Sequence, residues 1–156
     1  MIFLKLTSVP GDSVVKGFEK QIVLESFQFG AALHPTAGAK AGAAIATKPD
    51  VTEVSVTLQN GMYSPALFRL ALNGKATEAT ITIVKTNSDS LFDYLKYVLK
   101  GAIVTSWSQS SGGDRPSESL SLGYSLITMG ERTLDAKGIP GTWQSVSWDE
   151  RTRKVS

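Results

Sequence analysis

The sequence has no cysteine and a single histidine, His34. With no thiols, disulfides, thiol catalysis and cysteine-ligated metals are excluded. A metal site would have to be built from carboxylates. Asp89, Asp93, Asp114 and Glu118 are scattered without calcium-loop spacing, and no metal or other cofactor is expected. Charge of one sign is scarce as well. Sixteen Lys and Arg against 14 Asp and Glu leave a formal charge of +2, too small a surplus to point to nucleic acid. The cationic tail RTRKVS reads as a solvated end. No apolar run approaches the roughly 20 residues that span a membrane. The N-terminus, MIFLKLTSVPG, has Lys5 inside a short apolar run and lacks the pattern of a signal peptide. The expectation is a chain made and folded in the cytoplasm, which, if exported, leaves by a route that reads no N-terminal signal.

What is present is mostly a two-residue rhythm. The 156 residues have the length of one ordinary domain. In IFLKLT, Phe3, Lys5 and Thr7 oppose Ile2, Leu4 and Leu6, a first strand ended by Pro10-Gly11. A second strand starts near Gln21 and runs towards Leu33, with Glu25, Phe27 and Phe29 on one side and Leu24, Ser26 and Gln28 on the other. Residues 34–50, HPTAGAKAGAAIATKPD, form a long Ala/Gly-rich loop. VTEVSVTLQ alternates again, with Val54, Val56 and Leu58 opposite Glu53, Ser55 and Thr57. SPALFRLALNG reads as a helix, with Ser64 as N-cap, Pro65 in the first turn and Gly74 after the end. Its Leu67, Leu70 and Ala71 share a face. ATEATITIVK is a β-branched strand. In SLFDYLKYVLKGAIVTSW the spacing of Leu91, Tyr94, Leu95, Val98 and Leu99 favours a helix over 91–99, with a strand after it. ESLSLGYSLITM and TWQSVSW complete about seven strands. The pattern predicts a single mainly-β domain, a barrel or sandwich with one helix.

The stretch GGDRPSESLSLGYSLI, residues 112–127, invites a catalytic reading because Ser117, Ser119 and Ser121 alternate beside a glycine pair. A serine nucleophile needs a base held by a third group. Only His34 could serve, and there is no Gly-x-Ser-x-Gly elbow. No Gly-Lys-Ser/Thr follows the glycines, so they make no phosphate loop. Alternating serines then read as the solvent or interface face of a strand, with Leu120, Leu122 and Tyr124 on its core face. Asp114 to Pro116 reads as a turn, and Glu118 as strand-entry stabilisation. Trp107, Trp143 and Trp148 could stack on sugars, although tryptophans in a small β domain more often serve the core or a subunit contact.

Several pieces occur in a telling order: Pro-Gly-Asp-Ser at 10–13, Phe27-Gln28-Phe29-Gly30, the Ala/Gly loop, the Ser64-Pro65 helix, Leu99-Lys100 with Ser106, and Asp114-Arg115-Pro116-Ser117-Glu118-Ser119-Leu120-Ser121-Leu122. Together they resemble the Hcp proteins, the inner-tube subunits of type VI secretion systems. The resemblance covers almost the whole chain. It implies a β-barrel of two sheets with one flanking helix and no enzymatic activity. It further implies a hexameric ring, stacked rings, a contractile sheath, a spike protein at the tip and effector proteins in the lumen. It overrides the helical spacing and makes Tyr94–Ser106 a strand. It gives the 34–50 loop a ring-stacking role, with His34, Thr36, Lys40, Ile45 and Lys48 as candidates. It makes Gln28 the lumen-facing candidate, and marks Asp114, Arg115, Pro116, Glu118 and Ser119 as the family turn and strand. Departures are the loop's alanine content and Gly101 inside a strand, which suggests a bulge or close approach. A C-terminal extension, 131–156, resembles that of the longer members. A phage-like tail-tube protein and a secreted glycan-binding β-sandwich are the alternative readings. Neither nucleic acid nor membrane insertion is expected.

Overall fold

The computed structural model describes residues 1–34, 49–87 and 90–156. In chain order these form β1 (Ile2–Leu6), β2 (Ile22–Gln28), β3 (Ala31–Ala32), β4 (Asp50–Val51), β5 (Val54–Gln59), α1 (Ser64–Asn73), β6 (Thr77–Asn87), β7 (Ser90–Ser110), β8 (Ser117–Gly123), β9 (Leu126–Glu131), β10 (Gln144–Asp149) and β11 (Lys154–Val155). The larger sheet runs β11-β10-β9-β7-β6-β1-β2-β5-β8, and β7 also pairs with β8. That last pairing closes β7, β6, β1, β2, β5 and β8 into a barrel, which removes the open edges these strands would otherwise present. β9, β10 and β11 leave the barrel as a wing. The architecture is the mainly-β barrel with one helix that the sequence predicts.

Period-two alternation fills the barrel. Leu4, Leu6, Ile22, Leu24, Val54, Val56, Leu58, Ile81, Leu120 and Leu122 turn inward and are buried in one cluster. α1 packs against β7 and buries Leu67 and Leu70. Its first residue is Ser64 and its N-cap is Tyr63, so the start lies one residue earlier than the composition suggests. Ser64 Oγ instead accepts the N–H of Gly61 at 3.0 Å in the turn before the helix. Gly74 ends α1 at φ 60°, a left-handed conformation that suits glycine.

Bulges account for the other departures from simple alternation. Between Leu24 and Ser26 the β2–β5 register shifts, so both Leu24 and Phe27 pack on the core while Glu25 is exposed. Leu24 and Phe27 therefore do not face opposite sides, as unbroken alternation from Leu24 would require. β2 ends at Gln28, and a separate β3–β4 pair follows in place of a continuous strand to Leu33.

β7 is one 21-residue strand, not a helix followed by a strand. Its register shifts near Tyr94, near Gly101 and near Thr105. Leu95, Tyr97, Leu99, Ala102, Val104 and Trp107 pack on the core, and the interruptions stretch the step from two residues to three at each bulge. Partial cover on both faces of residues 91–98 supplies the remaining apolar positions that imitate a helix. Gly101 has φ 59°, and the side chain of Ser125 occupies the place a Cβ would take. Here β7 exchanges partners: Leu95–Lys100 pair with β9, and Ile103–Ser110 with β8.

The C-terminal extension pairs within its own chain. β10 lies antiparallel to β9 and carries Trp148 into the core. Trp143 precedes that strand. Lys96 Nζ lies 4.7 Å and the Arg132 guanidinium 4.6 Å from the centroid of its ring. Trp107 packs on Phe68 of α1 at 4.9 Å between ring centroids.

Candidate functional site

The outward positions of β2, β5, β8 and the C-terminal half of β7 form a continuous face of small uncharged polar groups. Strand register aligns Ser26, Thr57, Ser119 and Ser108 in one row, and Gln28, Ser55, Ser121 and Ser106 in the next. Gln59, Ser117 and Ser110 extend the face across three strands. These residues alternate with inward Val56, Leu58, Leu120 and Leu122, so one sequence rhythm builds the core and the face together. The bulges at Glu25 and Thr105 keep the outer rows in step where simple alternation would have broken them.

Ser26 and Thr57 share a hydrogen bond of 2.6 Å, and Ser55 and Ser121 approach to 3.5 Å. A shallow depression of about 320 Å³ lies over Ser26, Gln28, Ser55, Thr57, Ser119 and Ser121. No ionisable side chain stands in these rows. At one border the Thr105 hydroxyl donates to Glu53 Oε2 at 2.7 Å. Among the described residues, none of the row hydroxyls bonds a carboxylate or an imidazole. The face can offer many weak hydrogen bonds. Among the described residues, no carboxylate or imidazole activates one of its hydroxyls.

Behind the face, Glu118 points the other way and is fully buried. Its carboxylate accepts from Gln109 Nε2 at 3.0 Å, Trp107 Nε1 at 3.4 Å and Asn60 Nδ2 at 3.4 Å. A buried carboxylate needs such donors to offset its lost hydration. Arg115 donates through Nε and Nη2 to the carbonyl of Asn60, at 3.3 and 3.0 Å. The Asn60 N–H donates to the carbonyl of Pro116 at 3.0 Å. The Arg115–Pro116 turn is thereby locked to the turn that starts α1. Beside this knot, burial first, then Asp12 and Glu118, push the Tyr63 phenol up to about 12.

At the other end of the face, the Tyr124 hydroxyl donates to the carbonyl of Thr52 at 2.8 Å. Burial, then Glu150 and Glu53, push this phenol up to about 12. A cleft of about 190 Å³ lies here, lined by Val51, Thr52, Glu53, Gly123, Tyr124 and Glu150.

The structure brings Gln28 and Ser119 onto one face, in adjacent rows. Asp114, Arg115 and Pro116 form the approach to β8, and Glu118 turns inward as its anchor. His34 is exposed, at the foot of the long segment. Thr36, Lys40, Ile45 and Lys48 lie outside the described residues. Sequence reasoning did not single out Ser26, Ser55, Thr57 and Ser108, and it took Ser106 only as part of a family motif. Their signal was present as hydroxyls alternating with Val and Leu, but joining them needs the register of four strands. The tryptophans do not form an open stacking platform, since Trp148 is buried, Trp107 lies on Phe68 and two cations cover Trp143.

Residues 3–130 match the sequence profile of a family described as type VI secretion system effector, Hcp. No curated protein matches the chain. Among solved structures, one described as a type six secretion system protein aligns with TM-score 0.88 and 24% identity, covering 99% of this chain and 98% of that one. Hcp1 from Salmonella typhimurium aligns at TM-score 0.78 and 24% identity, with 99% and 97% covered. The secreted protein Hcp3 from Pseudomonas aeruginosa aligns at 0.66 and 19%, with 96% and 99% covered.

Proposed function

The chain belongs to the Hcp family of type VI secretion effectors, and from that premise we propose that it is a structural subunit of the secretion tube, carrying out no chemistry of its own. Copies associate by a heterologous contact whose rotation closes on itself, giving a hexameric ring; an isologous contact would stop at a pair. The Ser/Thr/Gln face lines the lumen, with Gln28 in it, and effector proteins pass along it. A contractile sheath drives the stacked rings behind a spike protein, and the subunit is secreted without cleavage of a signal peptide. The segment 34–50 contributes to the contact between rings.

The observation that carries this reading is the face itself. Four strands present two aligned rows of hydroxyl and amide groups with no charge. Such a surface makes many weak contacts and no strong one, which suits a channel that must release what it carries. Native mass spectrometry and negative-stain images of the purified chain test the reading. Closed rings of six copies are expected; a monomer at high concentration would refute it.

A further inference from the structure

The sequence has three asparagines, and two of them precede glycine: Asn60-Gly61 and Asn73-Gly74. The third, Asn87, precedes a serine. An asparagine side chain is open to attack by the backbone nitrogen of the next residue when that nitrogen can reach its Cγ. Glycine hinders the approach least, because it has no Cβ. By sequence the two Asn-Gly pairs are equivalent; the structure separates them.

Asn60 is clamped in the knot before α1. Its Nδ2 donates to Ser64 Oγ at 3.3 Å and to the buried Glu118 Oε1 at 3.4 Å. Its carbonyl accepts from Arg115, and the Gly61 N–H donates to Ser64 Oγ at 3.0 Å. The Tyr63 ring comes within 2.6 Å of where a Cβ on Gly61 would lie, so this backbone is packed under an aromatic side chain. Several contacts must break together before the Gly61 nitrogen can turn on Asn60.

Asn73 is the last residue of α1 and is exposed. A Cβ on Gly74 would meet nothing within 4 Å. The Gly74 N–H is held by the Leu70 carbonyl at 3.0 Å, a bond of the last helical turn, where fraying is easiest. The Lys75 N–H donates to Asn73 Oδ1 at 2.9 Å. This bond folds the side chain back over the Gly74 peptide. It also places a donor on the oxygen that gains negative charge when Cγ is attacked.

We propose that Asn73 is a site of spontaneous deamidation and isoaspartate formation, and that Ser64 and Glu118 shield Asn60 from the same reaction. The Gly74 nitrogen gives up its proton and bonds to Asn73 Cγ. The Cγ–Nδ2 bond breaks, and the side-chain nitrogen leaves as ammonia with that proton. Water then opens the succinimide at either carbonyl, giving aspartate or isoaspartate. Nothing is oxidised or reduced, and water is the one co-reactant. The product puts a carboxylate at the negative end of the α1 dipole, and the isoaspartyl form lengthens the main chain between α1 and β6.

Trypsin places the three asparagines on separate peptides, because Arg69, Lys75 and Lys85 divide them. The full chain is held at mildly alkaline pH below its Tm, and its peptides are followed by mass spectrometry over time. The amide-to-acid mass gain is expected at Asn73, split between two peptide isomers, at least about tenfold faster than at Asn60. In concentrated urea the two rates should converge. Ser64→Ala, which removes the acceptor of the Gly61 N–H, should speed the reaction at Asn60 several-fold and leave Asn73 unchanged. Equal rates in the folded chain, or a faster Asn60, would overturn the assignment. So would a difference that persists in urea, since its cause would then lie in the flanking sequence. An Asn60 rate unmoved by Ser64→Ala would overturn the shielding.

Discussion

β8 carries two opposite commitments on alternate residues. Its inward side, Glu118, Leu120 and Leu122, is buried and makes many specific contacts. Its outward side, Ser117, Ser119 and Ser121, is small, neutral and joined to its neighbours by few side-chain hydrogen bonds. The difference teaches that the inner face fixes the barrel, while the outer face contributes little to holding it together. Substitutions on the two faces should therefore differ sharply in cost.

The sharpest break is expected inside. Leu120→Ala removes fully buried volume at the centre of the cluster and should cost about 2–5 kcal/mol, read from the denaturant midpoint at unchanged m-value. Next comes Glu118→Ala, which strands the donors of Gln109, Trp107 and Asn60 and should cost about 1–3 kcal/mol. Glu118→Gln should cost less, since an amide oxygen still accepts. Gly101→Ala imposes a side chain at φ 59° against Ser125, with a loss of about 1–3 kcal/mol. Ser125→Gly in the same chain should recover part of it; an unchanged deficit would place the cost in the backbone conformation alone.

Titration gives a smaller effect with a definite sign. Tyr63 and Tyr124 hold their protons up to about 12 when folded, against about 10 for an exposed phenol. The folded state then binds more protons than the unfolded state above pH 10. The stability linked to these groups is complete below that pH and is lost as pH rises towards 12. Tyrosinate absorbance should show delayed ionisation, with a parallel fall in Tm between pH 10 and 12. Simple titration of all four tyrosines near 10 in the folded protein would contradict it. The smallest effect belongs to the outer face. Ser119→Ala should change stability by no more than about 0.5 kcal/mol and leave the particle mass unchanged.

The fold was largely legible because β1, β5, β6 and β8 keep a two-residue rhythm over lengths that decide between strand and helix. It failed where bulges intervene. Glu25 displaces Phe27 onto the side of Leu24, and the interruption near Tyr94, with partial cover on both faces of residues 91–98, gives the apolar residues of this half of β7 the spacing of a helix. There the family motif Leu99-Lys100 with Ser106 was the better guide. Gly101 announced its bulge, since a glycine inside a strand has no side chain to pack. The candidate site was legible only in part. Ser119 and Gln28 stood out by pattern and motif, but their neighbours in the rows come from strands distant in sequence. Glu118 looked like an ordinary strand-entry residue, because burial of a carboxylate depends on donors from β7 and from the turn before α1.

The most direct test of the account is a cryo-EM reconstruction of the assembled particle at side-chain resolution. It should show a closed ring with Ser26, Gln28, Ser55, Thr57, Ser119 and Ser121 turned towards the axis. A ring that turns this face outward or buries it between subunits would contradict the central claim.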